Sequence, residues 1–201
     1  MEIAYDLAQG RARRVRLAVR TPPNILLRTV GGLPGDPIGV AMLKLPPALA
    51  DAQTRAIARL TLGDLGPLGL PAPDEGPFAR LARLGVSPAV VDREVIDAIK
   101  DRRIEIVPAV EALEQRGARL ADGTRADVDA IIAATGYRCG LETLVGHLGV
   151  LDERGVPRVV GGGEAAPGLR FIGYRPVPGQ IRLSGIEARR AARDSVVSSV
   201  D

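Results

Sequence analysis

The residues of this chain best suited to holding a cofactor stand where apolar runs end. Asp127 to Arg138 reads DVDAIIAATGYR: a polar start, an apolar run from Val128 to Ala134, and a stop at Thr135-Gly136-Tyr137. Such a run closed by a turn signal predicts a strand covered on both faces. The small Thr-Gly turn lets the backbone come close to a ligand; the plain alternative is a buried strand ending in a tight turn. A second candidate is Arg20-Thr21, at the carboxyl end of Arg14 to Val19, where Val15, Leu17 and Val19 form one apolar face of a strand. An arginine at that point of a dinucleotide-binding fold can grip a ribose 2′-phosphate, and otherwise it is a solvated strand end. The third candidate combines Leu169 to Tyr174, a buried strand stopped by Gly173, with a last helix from Gln180 to about Val197. Ile181, Gly185, Ala188 and Ala192 give that helix a face small enough for a helix or a flat ligand to approach.

Other chemistries find little support. Cys139 is the only cysteine and His147 the only histidine, so no disulfide framework or Cys-based zinc site is expected. Gly161-Gly162-Gly163 is followed by Glu164-Ala165-Ala166-Pro167 instead of a helix start with a lysine, so the glycine run is expected to be a surface turn rather than a phosphate loop. No general base or nucleophile stands out. Arg11, Arg13, Arg14, Arg16 and Arg20 form the densest basic run, without interleaved aromatics for base stacking, so a solvated face is expected and no nucleic-acid partner.

These candidates need elements to position them. The 201 residues suffice for one domain or for pieces of two. With 46% hydrophobic residues and a mean hydropathy of +0.10 the chain is globular, and with 2% aromatics its core must be aliphatic. Met1 to Gly10 predicts a short amphipathic helix with Gly10 as its stop. Helix, turn, strand and arginine make half of a βαβ unit. Ile38 to Leu60 predicts two helices divided by Pro46-Pro47, and Phe78, Leu81 and Leu84 fall at helical spacing. Ser87 and Pro88 are expected to open a further helix carrying Val91, Val95, Ile96 and Ile99. Ile104 to Val107 reads as a strand, followed by an antiparallel ribbon with a hairpin at Asp122-Gly123. Val150 to Val160 predicts a hairpin turning at Glu153-Arg154-Gly155. No apolar run is long enough for a membrane span, the start does not read as a signal peptide, and the lone cysteine suits a cytoplasmic location.

In sequence order these pieces resemble the C-terminal half to two-thirds of a flavin-containing monooxygenase, similar to the bacterial and plant-type indole-pyruvate monooxygenases. Glu2, Ile3, Ala4, Asp6, Leu7 and Ala8 match the helix that follows the family's NADP glycine turn. Asp129 to Ile132 and Ala134 to Tyr137 match its "DAIIxATGY" run, and GLRFIGYRPVPGQIRLSGIEARRAAR resembles its closing segment. The resemblance implies an α/β, partial FAD/NAD(P)-binding, two-dinucleotide-domain fold, Rossmann-like and three-layered, truncated at the N-terminus. Residues 1–138 would be an incomplete NADP-binding domain with a helical insertion at about 31–103, and residues 139–201 the C-terminal part of the FAD-binding domain. It implies FAD and NADPH as cofactors, with Arg20 and Thr21 toward NADP, Thr135, Gly136 and Tyr137 at the domain junction, and Gly173, Gln180 and Ile181 toward FAD. The implied reaction inserts one oxygen atom of O2 into a small molecule, by N- or S-oxygenation or by oxidative decarboxylation of a keto acid.

One departure bears on all of this: no G-x-G-x-x-G occurs in the chain. Both family fingerprints are expected upstream of Met1, as if the chain came from a truncated gene, a miscalled start or a split frame, with the missing half a possible separate partner. The chain alone is then expected not to hold FAD tightly. Two alternatives stay open: a non-catalytic remnant, and part of another NADPH-dependent flavoprotein oxidoreductase, against which the absence of a cysteine pair argues.

Overall fold

The computed structural model describes residues 1–174 and 179–197. It divides into two compact units, Met1–Ala133 and Ala134–Asp201. The first unit opens with α1 (Glu2–Gln9), whose Ala4 is buried, and the chain turns at Gly10 into β1 (Val15–Val19). Then come β2 (Ile25–Leu27), a two-residue hairpin of β3 (Thr29–Val30) and β4 (Leu33–Pro34), and the helices α2 (Gly35–Met42) and α3 (Pro47–Thr61). Proline opens α3, where a missing N–H costs nothing. After a 3-10 turn at Gly66–Leu68 follow α4 (Pro77–Leu84), β5 (Ala89–Val91), α5 (Arg93–Lys100) and β6 (Ile104–Pro108).

Two parallel pairs build the centre. β1 pairs with β6 from Val15↔Ile104 to Val19↔Pro108, and β2 pairs with β5 from Ile25↔Ala89 to Leu27↔Val91. Parallel strands need faces covered by helices. Here α1 and α5 provide the cover, and the core gathers Val15, Ile25, Leu27, Val91, Val95, Ile96, Ile99 and Ile104. It is aliphatic, as the composition requires.

The expected helix opening at Ser87 does not form. Ala89–Val91 is a strand and α5 begins at Arg93 behind Asp92. Val90-Val91 pairs with β2 because β-branched side chains favour the extended backbone. The far end of α5 is closed by a Schellman motif. The Arg102 N–H donates to the Ile99 carbonyl (3.0 Å) and the Arg103 N–H to the Ala98 carbonyl (2.9 Å). Arg102 takes the left-handed position of that motif at φ 58°.

The unit ends in a three-stranded antiparallel sheet of β7 (Val110–Glu114), β8 (Gly117–Leu120) and β9 (Arg125–Asp127), with the expected turn at Asp122-Gly123. The buried strand expected from Val128 to Ala134 is absent. The Val128 N–H donates to the Arg116 carbonyl (3.3 Å), and pairing stops there. Residues 129–140 are exposed, Ile131 at 51% and Ile132 at 57%. An apolar strand is buried only between neighbours, and none of the described strands lies beside this one.

The second unit holds α6 (Glu142–Val145), β10 (Glu164–Ala166), β11 (Leu169–Arg170) and α7 (Gln180–Val197). Leu151 bridges Pro157 across the turn expected at Glu153-Arg154-Gly155. The turn expected at the glycine run forms at Gly161-Gly162 and leads into a hairpin of β10 and β11, and the buried strand expected over Leu169–Tyr174 shrinks to two residues. Arg170, within it, pairs with Glu164 (2.9 Å) and holds the Gly162 carbonyl (2.9 Å).

Candidate functional site

In the first unit the carboxyl ends of the parallel strands are where a ligand is expected. β1 delivers Arg20 and Thr21 there; both are exposed. Neither side chain has a hydrogen bond or ion pair to any described residue. Arg28, immediately after β2, behaves differently. Its Nε donates to Asp92 Oδ1 (2.7 Å) and its Nη2 to Glu2 Oε1. Asp92 precedes α5 and Glu2 opens α1, so one guanidinium ties the end of β2 to the first turns of two helices. The Asp92 carboxylate, and then Glu2, hold Arg28 above its ordinary value. The charge of Arg28 is therefore spent on structure, whereas that of Arg20 remains available to a phosphate.

The second unit brings Gly173, Gln180 and Glu187 together. Gly173 (φ 81°) donates its N–H to Glu187 Oε2 (3.1 Å), and its carbonyl accepts from Gln180 Nε2. The packed face of α7 is thus Gln180, Ser184, Glu187 and Ala191, with Glu187 and Ala191 buried. Gly162 lies against the same face; a Cβ there would come within 2.6 Å of the Glu187 carbonyl oxygen. The small-residue face, open to a helix or a flat ligand, is the outer one: Ile181 is 92% exposed, and Ala188 and Ala192 are exposed too. Polar anchoring of the Gly173 backbone decides the orientation of α7, and small size alone does not. Phe171 and Tyr174 meet edge to face, centroids 5.7 Å apart, beside this anchor.

Thr135, Gly136 and Tyr137 lie near the start of the second unit in an exposed, irregular stretch. Gly136 has φ 87° with open space around it, and Tyr137 is fully exposed. Among the described residues, then, Gly173 and Gln180 touch, whereas Arg20, Thr21, Thr135 and Tyr137 stand without side-chain partners. Sequence reasoning passed over Arg28 and Glu187. Arg28 carries the same signal as Arg20, a basic residue closing an apolar strand. Glu187 has none, because a carboxylate seven residues into an amphipathic helix reads as solvated. No group of three or more His, Cys, Asp or Glu among the described residues is placed to hold a metal, and no described helix is long and apolar enough to cross a membrane.

No family model matches the chain. Its homologues are flavin monooxygenases, and the match is consistent with the C-terminal portion of such an enzyme. A probable indole-3-pyruvate monooxygenase of Arabidopsis thaliana, YUCCA9, is 33% identical over 159 residues, which is 79% of this chain and 37% of that protein. Indole-3-pyruvate monooxygenase YUCCA1 of Oryza sativa subsp. japonica is 35% identical over 161 residues, 79% of this chain and 39% of its own length. YUCCA8 of Oryza sativa subsp. indica is 34% identical over 203 residues, covering 96% of this chain and 47% of that enzyme. The chain spans less than half the length of these curated relatives.

Proposed function

We propose that these residues are the NADP-side and FAD-closing part of an FAD- and NADPH-dependent monooxygenase, acting on a small organic substrate with O2. The two glycine fingerprints would be supplied by other residues, within a longer protein or as a separate chain. The observation that carries this reading is the match, over most of the chain, to indole-3-pyruvate monooxygenases. Oxidative decarboxylation of an aromatic keto acid is the form of the reaction closest to those relatives. Residues 1–138 would serve the nicotinamide cofactor and 139–201 the flavin, in a cytoplasmic enzyme.

The residues fit the two cofactors unequally. An unpaired, exposed Arg20 beside Thr21 fits a ribose 2′-phosphate. At the start of α1, Glu2 places a carboxylate where a pyrophosphate would lie, turned onto Arg28 and so partly neutralised. In the second unit, Gly173 with its positive φ presents bare backbone, and the first turn of α7 leaves N–H groups that no helical carbonyl accepts. Gln180 and Glu187 fix that backbone in place. Bound FAD, reduced by NADPH, would supply the oxygen chemistry. This chain would supply the grip of Arg20 on the 2′-phosphate and the fixed backbone at Gly173.

The reading is tested by co-expressing the chain with a polypeptide that carries both fingerprints. A yellow, NADPH-reducible complex is expected, and Arg20→Ala should weaken NADPH at least about tenfold while leaving NADH little changed. Equal loss with both nucleotides would count against the role of Arg20. The isolated chain is expected to purify without flavin absorbance. A non-catalytic remnant is the second reading, favoured by the exposure of Ile131, Ile132 and Tyr137. A co-expressed pair that forms no flavin complex supports it.

A further inference from the structure

The amino ends of β1 and β6, opposite the end that carries Arg20, open onto a cleft of about 730 Å³. That size falls within the range of small-molecule sites. Apolar residues, Leu68 and Ile106 among them, make up part of its lining. Its rim is basic: Arg13 and Arg14 come from the connection into β1, and Arg102 and Arg103 from the connection into β6. Glu105 is the one carboxylate in the lining, and it is occupied by Arg14 Nη2 at 2.7 Å and Arg16 Nε at 3.4 Å. Arg103 stands 4.0 Å from Asp101. The side chains of Arg13 and Arg102 have no hydrogen bond or ion pair to any described residue.

The backbone supplies a second, independent observation. Arg102 is the one non-glycine at positive φ among the described residues, at φ 58°. The motif that ends α5 needs a left-handed residue there, and glycine fills that need without a clash. At its other left-handed turns this chain uses glycine, Gly69, Gly85 and Gly149 among them. An arginine held in a disfavoured conformation, lining the cleft with no partner among the described residues for its guanidinium, points to a use for the side chain.

We propose that this cleft binds a small organic oxyanion, an apolar body bearing a phosphate or carboxylate, gripped by the guanidiniums of Arg13 and Arg102. Guanidinium suits the task because its planar fork matches either oxyanion with two parallel hydrogen bonds. The site is separate from the strand end at Arg20: β1 is five residues long, so the two ends lie roughly 13 Å apart.

The test titrates the 201-residue chain with phenyl phosphate, benzoate and inorganic phosphate, following amide resonances by NMR. Saturable shifts are expected for residues 12–15 and 102–106 with phenyl phosphate or benzoate or both, and weaker ones with inorganic phosphate, which lacks an apolar body. The stronger of the two organic anions identifies the headgroup. Arg102→Gly and Arg13→Gln should each weaken binding by about tenfold or more, and Arg20→Gln should leave it unchanged. Arg102→Gly should also raise the melting temperature, which separates lost binding from lost fold. If Arg102 serves only the dipole at the end of α5, Arg102→Gly lowers the melting temperature or leaves binding intact, and either result overturns the proposal. Shifts spread over arginines other than those of the cleft and Arg20, or Arg13→Gln binding like the wild type, overturn it as well.

Discussion

Asp51 holds two helices at once. It lies within α3, is 6% exposed, and accepts from the N–H groups of Phe78 (2.8 Å) and Ala79 (3.1 Å) at the start of α4. Gly76, the residue before α4, has no side chain to cap with, and a Cβ there would overlap Asp51. The cap is therefore borrowed from a neighbouring helix. Asp51→Ala should cost about 2 kcal/mol, from a lost cap and buried donors left unpaired, measured as a lower urea midpoint at unchanged slope. Arg102→Gly should act in the opposite direction and add about 1 kcal/mol by relieving the left-handed arginine. Glu105 is governed by charge. Hydrogen bonding from Arg14 is the largest influence holding its carboxyl below the ordinary value, despite opposing desolvation. A depressed carboxylate stabilises the fold above its unfolded value, and that contribution is lost as pH falls through the folded value. Its side chain is 42% exposed, so solvent screens much of the effect. The difference in melting temperature between wild type and Glu105→Gln should be small at neutral pH, shrink with added salt, and vanish in acid.

At the scale of elements, the stretch after β9 is the most informative. From Asp129 to Gly140 the chain is irregular, exposed and without a strand neighbour among the described residues. Such a stretch is the easiest place for a protease to bind. Limited proteolysis with chymotrypsin or trypsin should cut first at Tyr137 or Arg138 and yield two fragments; a first cut elsewhere would show this stretch to be covered in solution. The same stretch shows what local sequence could and could not reveal. Elements set by local rules were legible: α1 with its stop at Gly10, the break at Pro46-Pro47, the Asp122-Gly123 turn, and α7 beginning at Gln180. Elements set by distant partners were not. Ile131-Ile132 has strand propensity but no strand beside it, whereas Val90-Val91 found β2 far upstream and became a strand in place of a helix. The candidate site divides in the same way. Arg20 could be placed at a strand end from alternation alone, but the packed face of α7 depends on Glu187 reaching the Gly173 N–H, which no periodicity records.

At the scale of the whole molecule, apolar surface is left uncovered in both compact units. Ile131 and Ile132 are exposed in the first, and Tyr137 and Ile181 in the second. If these residues complete a two-cofactor enzyme, the added polypeptide should slow amide exchange at Ile131 and Ile132 and leave the already paired β7 to β9 unchanged; equal protection everywhere would indicate general tightening. The uncovered strand former at Ile131-Ile132 also carries a cellular cost. An exposed apolar segment is the kind of surface that chaperones hold and proteases clear, and at high concentration it associates with copies of itself. The amount of this polypeptide in a cell should then follow the supply of whatever covers that segment rather than the rate of its own synthesis.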